Sequence, residues 1–238
     1  MNARGHIFWS IKSRRLNIFG KALTLASVSF LCSIQLIFGG EILFQDQFKN
    51  KLAPGWSWIR EHPEAWRITG HGLEVLIEPG NMWGAQNNAK NLLVRAIPRD
   101  RNAELEISAQ IENKPSHQYE QVDLVWYYND SNMIKVGQEL VDGKLSVVMA
   151  REENDKTRTI SITALDSTIV SLRMISKGNQ VRGQFQAPKS SDWHEVGTCD
   201  MPAPAEIDPR ICLQFYQGAE KEPHWAKIKD FRIVRIDR

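Results

Sequence analysis

The chain has 238 residues, 42% of them hydrophobic and 24% charged, which excludes wholesale disorder and leaves room for one large domain or two small ones. Its net charge of +2 is unevenly divided: residues 1–40 hold Arg4, Lys12, Arg14, Arg15 and Lys21 with no acidic residue, so residues 41–238 hold 25 Lys+Arg against 28 Asp+Glu. That mildly acidic remainder excludes a basic nucleic-acid-binding domain, because phosphate contacts need clustered Lys and Arg.

Directly after Lys21, residues 22–38 form an uncharged, mostly apolar run (ALTLASVSFLCSIQLIF). A basic start followed by an apolar stretch is the layout of an export signal, and the run is also at the low end of what spans a bilayer as a helix. Residues 1–40 are therefore expected to be a hydrophobic helix acting as a signal peptide or an N-terminal membrane anchor. The protein is expected to be exported, periplasmic or extracellular, touching a membrane only through this segment. Gly39 and Gly40 suit a cleavage site, but Ile37 or Phe38 would then occupy the position where a small residue is needed.

From residue 41 onward, short alternating runs recur between turn residues, the pattern of an all-β sandwich. The expected strands are 73–78, 92–97, 103–112, 122–128, 134–141, 145–151, 168–176, 180–186, 211–217 and 226–236. Asp142-Gly143 and Gly178-Asn179 each separate two such runs and signal two-residue hairpins. The stretches 79–91 and 201–210, rich in Gly, Pro or Asn, are expected to be surface loops. Neither an internal repeat nor a linker appears, so residues 41–238 read as one domain.

Cys199 and Cys212 follow the hydrophobic run; in an exported protein they form either one disulfide or two unpaired buried thiols. The histidines His62, His71, His117, His194 and His224 have no metal-ligand spacing, so no metal site is expected. Loops 129–132 and 152–155 are acidic enough to suggest a structural Ca²⁺, yet neither matches a calcium-binding consensus. Nucleophile elbows, phosphate-binding glycine loops and dinucleotide fingerprints are absent, so no cofactor is expected and no catalytic residue is assigned.

A set of short motifs in order carries a family resemblance. These are Phe44-Gln-Asp-Gln-Phe48, Trp56-Ser-Trp58, Glu64-Ala-Trp66, Gly72-Leu73, Tyr119-Glu-Gln-Val-Asp-Leu124, Met133-Ile-Lys-Val-Gly-Gln-Glu139 with Val141-Asp-Gly143, Ser191-Asp-Trp193 and Lys229-Asp-Phe-Arg-Ile233. The order resembles a bacterial family of the concanavalin A-like lectin/glucanase superfamily sometimes labelled "regulation of enolase". It is also similar to the C-terminal β-sandwich of family 43 β-xylosidases. The resemblance implies a jelly-roll sandwich of two curved antiparallel sheets, with glycans often bound on the concave sheet, and it transfers a fold more firmly than a function.

Strand alternation locates a candidate binding face. Val122, Leu124, Trp126 and Tyr128 share one side of their run, and Ile134, Val136 and Leu140 one side of the next. Turning both inward requires cross-strand partners with an even sum, such as Asp123 with Glu139 and Tyr127 with Lys135, and hence an odd-length loop within 129–132. The Asp142-Gly143 turn then sets Ser146 opposite Glu139, Val148 opposite Gly137 and Ala150 opposite Lys135. Gln121, Asp123, Tyr127, Lys135 and Glu139 are left on the outer surface around a floor of small residues. An aromatic ring with carboxylates, an amide and an ammonium group suits sugar hydroxyls, and an ordinary solvated charge ladder is the competing account.

Trp83, in the Gly/Asn-rich stretch, is the candidate for stacking on a sugar ring, with Trp225 second. The expected function is a carbohydrate-binding module with a glycan partner. The alternatives are a glycoside hydrolase or lyase using Asp123 and Glu139, and a non-catalytic protein-interaction domain of the cell envelope. The Glu206-Ile-Asp208 triplet is similar to the laminarinase-like E-x-D motif but precedes Pro209 and lacks the third carboxylate.

Overall fold

Period-two alternation can bury one face of each strand only if a second sheet covers it, and this chain supplies two sheets. The structure is a computed structural model that describes residues 40–97, 103–204, 207–222 and 224–236. The expected N-terminal hydrophobic helix falls outside these described residues. The strands in chain order are β1 (Glu41–Asp46), β2 (Trp56–Ile59), β3 (Trp66–Thr69), β4 (Gly72–Leu76), β5 (Met82–Trp83), β6 (Gln86–Asn87), β7 (Leu92–Ala96), β8 (Leu105–Glu112) and β9 (Gln121–Asn129). They continue as β10 (Asn132–Val141), β11 (Lys144–Glu153), β12 (Lys156–Ala164), β13 (Ile169–Lys177), β14 (Gln180–Gln186), β15 (His194–Asp200), β16 (Arg210–Tyr216) and β17 (Trp225–Arg235).

One sheet has eight strands in the order β15-β14-β13-β8-β17-β4-β3, with β1 also pairing β17; the other has seven, β12-β11-β10-β9-β16-β7-β2. All pairings described here are antiparallel. Leu124, Trp126, Val136 and Met149 from the seven-stranded sheet meet Ile107, Leu172, Met174 and Ile228 from the eight-stranded sheet in one buried apolar core. Each such side chain contributes roughly 1.5–3 kcal/mol by leaving water.

The chain holds more strands than the sequence pattern reveals. β12 is the clearest case: it is an edge strand, so most of KTRTISITA faces solvent and no apolar alternation develops. Both expected hairpins form, pairing Val141 with Lys144 and Lys177 with Gln180. The β10–β11 register is as expected, with Ser146 opposite Glu139, Val148 opposite Gly137 and Ala150 opposite Lys135.

The β9–β10 register differs by one step of two. Asp123 faces Gly137, not Glu139, and Tyr127 faces Met133, not Lys135. The connection is a two-residue turn at Asp130-Ser131, which by itself would put one strand's apolar face outward. A bulge between Asn132 and Met133 corrects the parity, so the pair sum is still even along the rest of the hairpin.

Of the two forms open to the cysteines the unbonded one is found, and one further expectation, the 79–91 surface loop, is corrected. Cys199 and Cys212 are not bonded; both are free and buried. Cys199 belongs to the inter-sheet core and Cys212 to a separate cluster on the other face of the seven-stranded sheet, so the layer between them keeps the sulfurs apart. Burial raises the Cys199 thiol to about 11 and raises Cys212 further, so neither is poised to react. Residues 79–91 do not form a solvated loop. They contain the β5–β6 hairpin, and Met82 and Ala89 pack on the seven-stranded sheet beside Val94, Val125, Tyr127 and Tyr216.

Candidate functional site

The cover over the seven-stranded sheet is held by polar stitches. Asn81 Oδ1 accepts from the Met82 and Trp83 amides at 2.9 and 3.1 Å, and the Asn81 amide donates to Asn88 Oδ1 at 2.8 Å. Arg60 donates to the Ala89 carbonyl at 2.6 Å and pairs with Asp130 at 2.7 Å. Such side-chain bonds to backbone groups fix a segment too rich in Gly and Asn for a regular ladder. The hairpin thereby sets Trp83 over the strands, with the Lys135 ammonium 5.2 Å from its ring centroid.

Beneath Trp83, four of the residues expected from strand alternation come together. Lys135 Nζ donates to Gln121 Oε1, to Glu139 Oε2 at 3.2 Å and to the Tyr216 hydroxyl at 3.3 Å. Gln121 in turn donates to the Tyr119 carbonyl at 2.8 Å. The carboxylate of Asp123 lies across the strand over Gly137, where a β-carbon would run into its Oδ1. Glycine at 137 is what makes room for a cross-strand acid here.

The expected outer surface is not solvated. Gln121, Asp123, Lys135 and Glu139 are 3%, 0%, 4% and 7% exposed, and the 79–91 segment closes over this face with Trp83 at Lys135, Gly84 at Glu152 and Met82 beside Tyr216. A charge without water must be paired, and here the pairing is incomplete. Lys135 satisfies Glu139, yet neither oxygen of Asp123 accepts a well-formed hydrogen bond, and the Tyr216 phenol approaches it short of good geometry. Burial, opposed by Lys135 and reinforced by Glu139, pushes the Asp123 carboxyl up to about 7. Burial and the Asp123 carboxylate raise the Tyr216 phenol well above its usual value, leaving it a neutral donor.

Tyr127 belongs elsewhere. It is 3% exposed, its hydroxyl donates to Asp130 at 2.6 Å, and Arg210 lies over its ring at 5.0 Å. Buried among Met82, Val125, Met133 and Cys212, the ring offers no stacking surface.

Three members of the cluster escaped the sequence analysis. Tyr216 and Gln214 stand on β16, beside Gln121 and Asp123 in the ladder. Glu152 extends the face of Ser146, Val148 and Ala150 by one more step along β11. Period-two counting along 211–217 and past Arg151 would have found all three. Glu152 is fully buried; its Oε2 accepts from the Gly84 amide at 3.2 Å and its Oε1 has no partner. Burial, partly offset by that amide, raises it to about 7. Gln214 Oε1 is also without a partner, its amide nitrogen meeting the Met133 sulfur at 3.6 Å.

The cluster thus presents acceptor oxygens short of donors, Glu152 Oε1, Gln214 Oε1 and the Asp123 carboxylate with only the Tyr216 phenol beside it, around one ammonium group and under one tryptophan. A ligand rich in hydroxyl donors fits that demand. Among the described residues, no group of three or more His, Cys, Asp or Glu side chains is placed to hold a metal ion. Glu152 belongs to a strand rather than to a calcium loop.

Residues 45–204 match the family model of the β-xylosidase C-terminal concanavalin A-like domain. Similar solved structures include a GH43 protein of Bacillus licheniformis, with 16% identity and a TM-score of 0.70 over 80% of this chain and 39% of that one. A xylan β-1,4-xylosidase of Bacillus halodurans is similar at 16% identity and a TM-score of 0.67, over 80% of this chain and 38% of that one. A functionally unknown protein of Saccharomyces cerevisiae matches at 11% identity and a TM-score of 0.60, over 80% of this chain and 98% of that one. The chain therefore spans about two fifths of the length of these two bacterial proteins. No curated protein matches it.

Proposed function

This chain belongs to the family of β-xylosidase C-terminal concanavalin A-like domains, and on that premise we propose that it is a carbohydrate-binding module using the outer face of its seven-stranded sheet. The observation that carries the reading is the buried, donor-poor cluster of Asp123, Gln214 and Glu152 beside Lys135. Sugar hydroxyls are donors that such acceptors lack, and an apolar pyranose face suits Trp83. Lys135 orders Gln121 and Glu139 around the site and offsets part of the acidic charge. The 82–87 hairpin holds Trp83 at the entrance, so entry of a sugar is coupled to a shift of this hairpin.

Titration of the full chain with xylohexaose and a wider glycan array tests the reading. Saturable binding is expected, weakened roughly 10- to 100-fold by Asp123→Asn, since a hydrogen bond to a charged group is worth about 1.5–3 kcal/mol. Absence of binding by the wild type, under conditions where lectin controls respond, would overturn it. The second reading is glycoside hydrolysis, favoured by the setting of Asp123: a fully buried carboxyl, pushed up to about 7 by burial beside the Glu139 carboxylate, suits a general acid. Reducing sugar released by the wild type and abolished by Asp123→Asn or Glu139→Gln would select it.

A further inference from the structure

A second pocket lies at one end of the eight-stranded sheet, away from the residues just described. It has a volume of about 450 Å³, within the range of small-molecule sites, and is lined by Asn113, Ser116, Thr168, Glu222, His224 and Trp225 among others. Three chain segments build it: the turn after β8, the residue before β13, and the start of β17.

The framework of this pocket is well tied. Glu120, fully buried, accepts from the Ser116 and His117 amides at 3.0 and 3.4 Å and lies against His224 Nε2. The backbone N–H of Asn113 donates to the Thr168 carbonyl at 2.9 Å, and the backbone N–H of Ile77 donates to the His224 carbonyl at 3.1 Å. Arg67, itself held by Glu74 at 2.7 Å, lies 4.1 Å from the Trp225 ring and fixes the plane of the indole. Against this background one side chain stands out. Asn113 is 1% exposed, and neither its amide nitrogen nor its amide oxygen has a partner. A buried primary side-chain amide left unmatched at both ends costs on the order of 1–3 kcal/mol per group, so in this lining it is the group with both a donor and an acceptor to offer.

We infer that this pocket is a second glycan subsite, in which Trp225 stacks on a pyranose ring and the Asn113 amide reads two neighbouring hydroxyls. An amide offers a donor and an acceptor side by side, and vicinal hydroxyls answer both at once. The lining sets Lys114 and His224 beside Glu222 and a Glu112 already paired with Lys227 at 2.9 Å, so its charges are mixed and favour no single ion, and the amide donor disfavours a metal cation; a neutral sugar is the class that fits. The inference is independent of the Lys135 site, since the two share no residue.

Indole ¹⁵N–¹H spectra of the full chain, whose eight tryptophans give separate reporters, distinguish the two sites. Trp225→Phe and Trp83→Phe assign the two signals. Xylohexaose, cellohexaose and mannohexaose are the probes, each taken to about 10 mM, where even contacts worth about 3 kcal/mol register. At least one of them is expected to move the Trp225 signal saturably. Asn113→Ala should raise that Kd by about tenfold or more through two lost hydrogen bonds, while the remaining indole signals keep their positions. Asp123→Asn should leave it unchanged. A Trp225 signal unmoved by all three sugars overturns the second subsite, as does an Asn113→Ala variant that binds like the wild type. Movement of Trp83 alone overturns this subsite and leaves the first reading standing; movement of Trp225 alone does the reverse.

Discussion

On the outer face of the eight-stranded sheet, Lys227 meets Glu112 at 2.9 Å and Arg173 meets Glu106 at 3.0 Å, with side chains 17–38% exposed. On the outer face of the seven-stranded sheet, Lys135 meets Glu139 at 3.2 Å with side chains 5% and 9% exposed. Lys135 and Glu139 stand four apart on one strand, whereas the other two pairs cross between strands; the larger difference is the 79–91 segment that lies over one face. On the first face water and cationic partners both reach the carboxylates. Burial works to raise even Glu74, but hydrogen bonds from Arg67 and Thr69 outweigh it and hold that carboxyl below its usual value. Where the cover excludes water and donors run short, Asp123 and Glu152 rise to about 7. A lid of thirteen residues, then, turns a charge ladder into a candidate binding site.

The comparison breaks most directly at Lys135. Lys135→Met leaves Asp123, Glu139 and Glu152 buried without a cation, and removing one partner of a buried pair costs about 3–5 kcal/mol. Urea unfolding should report a loss of that size. A loss below about 1 kcal/mol would mean that the covered face behaves like the solvated one.

The covered carboxylates also set a pH signature. A carboxyl whose folded pKa lies above its unfolded value is stabilising when protonated, and that contribution is lost as pH rises from the unfolded pKa to the folded one. For Asp123 the window runs from 3.8 to about 7. Within it, wild-type stability should fall relative to Asp123→Asn by up to about 1.4 kcal/mol per pH unit. Glu152→Gln should flatten a similar window, from 4.5 to about 7. Glu74 has the opposite sign, its stabilisation present above its unfolded pKa and lost on acidification, so only the difference between wild type and variant isolates the covered face. Parallel stability curves between pH 4 and 7 would refute a covered, unpaired Asp123.

The reach of the sequence follows the same division. Alternation alone placed Asp123, Lys135, Glu139 and Gln121 on one face, because parity survives any even register step and the bulge at Asn132/Met133 restored it. It could not choose between Asp123 opposite Glu139 and Asp123 opposite Gly137, since both sums are even. Tyr127 had the right parity and the wrong neighbours: the Asp130 carboxylate that captures its hydroxyl belongs to the turn, whose conformation the strand pattern does not encode. Burial was the larger miss. Nothing in the composition of PGNMWGAQNNAKN says that Met82 and Ala89 seat it on the sheet, because that depends on Arg60 and the His62 amide meeting it from another segment.

Gly137 offers a smaller, sharper cut. Gly137→Ala drives a methyl group into the Asp123 carboxylate and toward the Val122 carbonyl, and overpacking of this kind costs about 1–3 kcal/mol. In an Asp123→Ala background most of that cost should vanish. Thermal unfolding of the four proteins in the cycle should yield a coupling of about 1 kcal/mol or more. Additive effects would place the Asp123 carboxylate somewhere other than over residue 137.

The least costly substitution is the control that gives the others meaning. Lys227→Gln removes the ammonium from a pair whose side chains are 30% and 38% exposed, so Glu112 keeps its hydration when its partner goes. An exposed ion pair is worth about 0–1 kcal/mol, and salt screens what there is, with a Debye length of about 8 Å at physiological ionic strength. Lys227→Gln should therefore cost under about 1 kcal/mol and less still in 0.5 M NaCl, where the cost of Lys135→Met should hardly change, because ions do not enter a covered face. If Lys227→Gln rivals Lys135→Met, exposure is not what separates the two sheets, and the weight placed on the 79–91 cover moves to strand pairing itself.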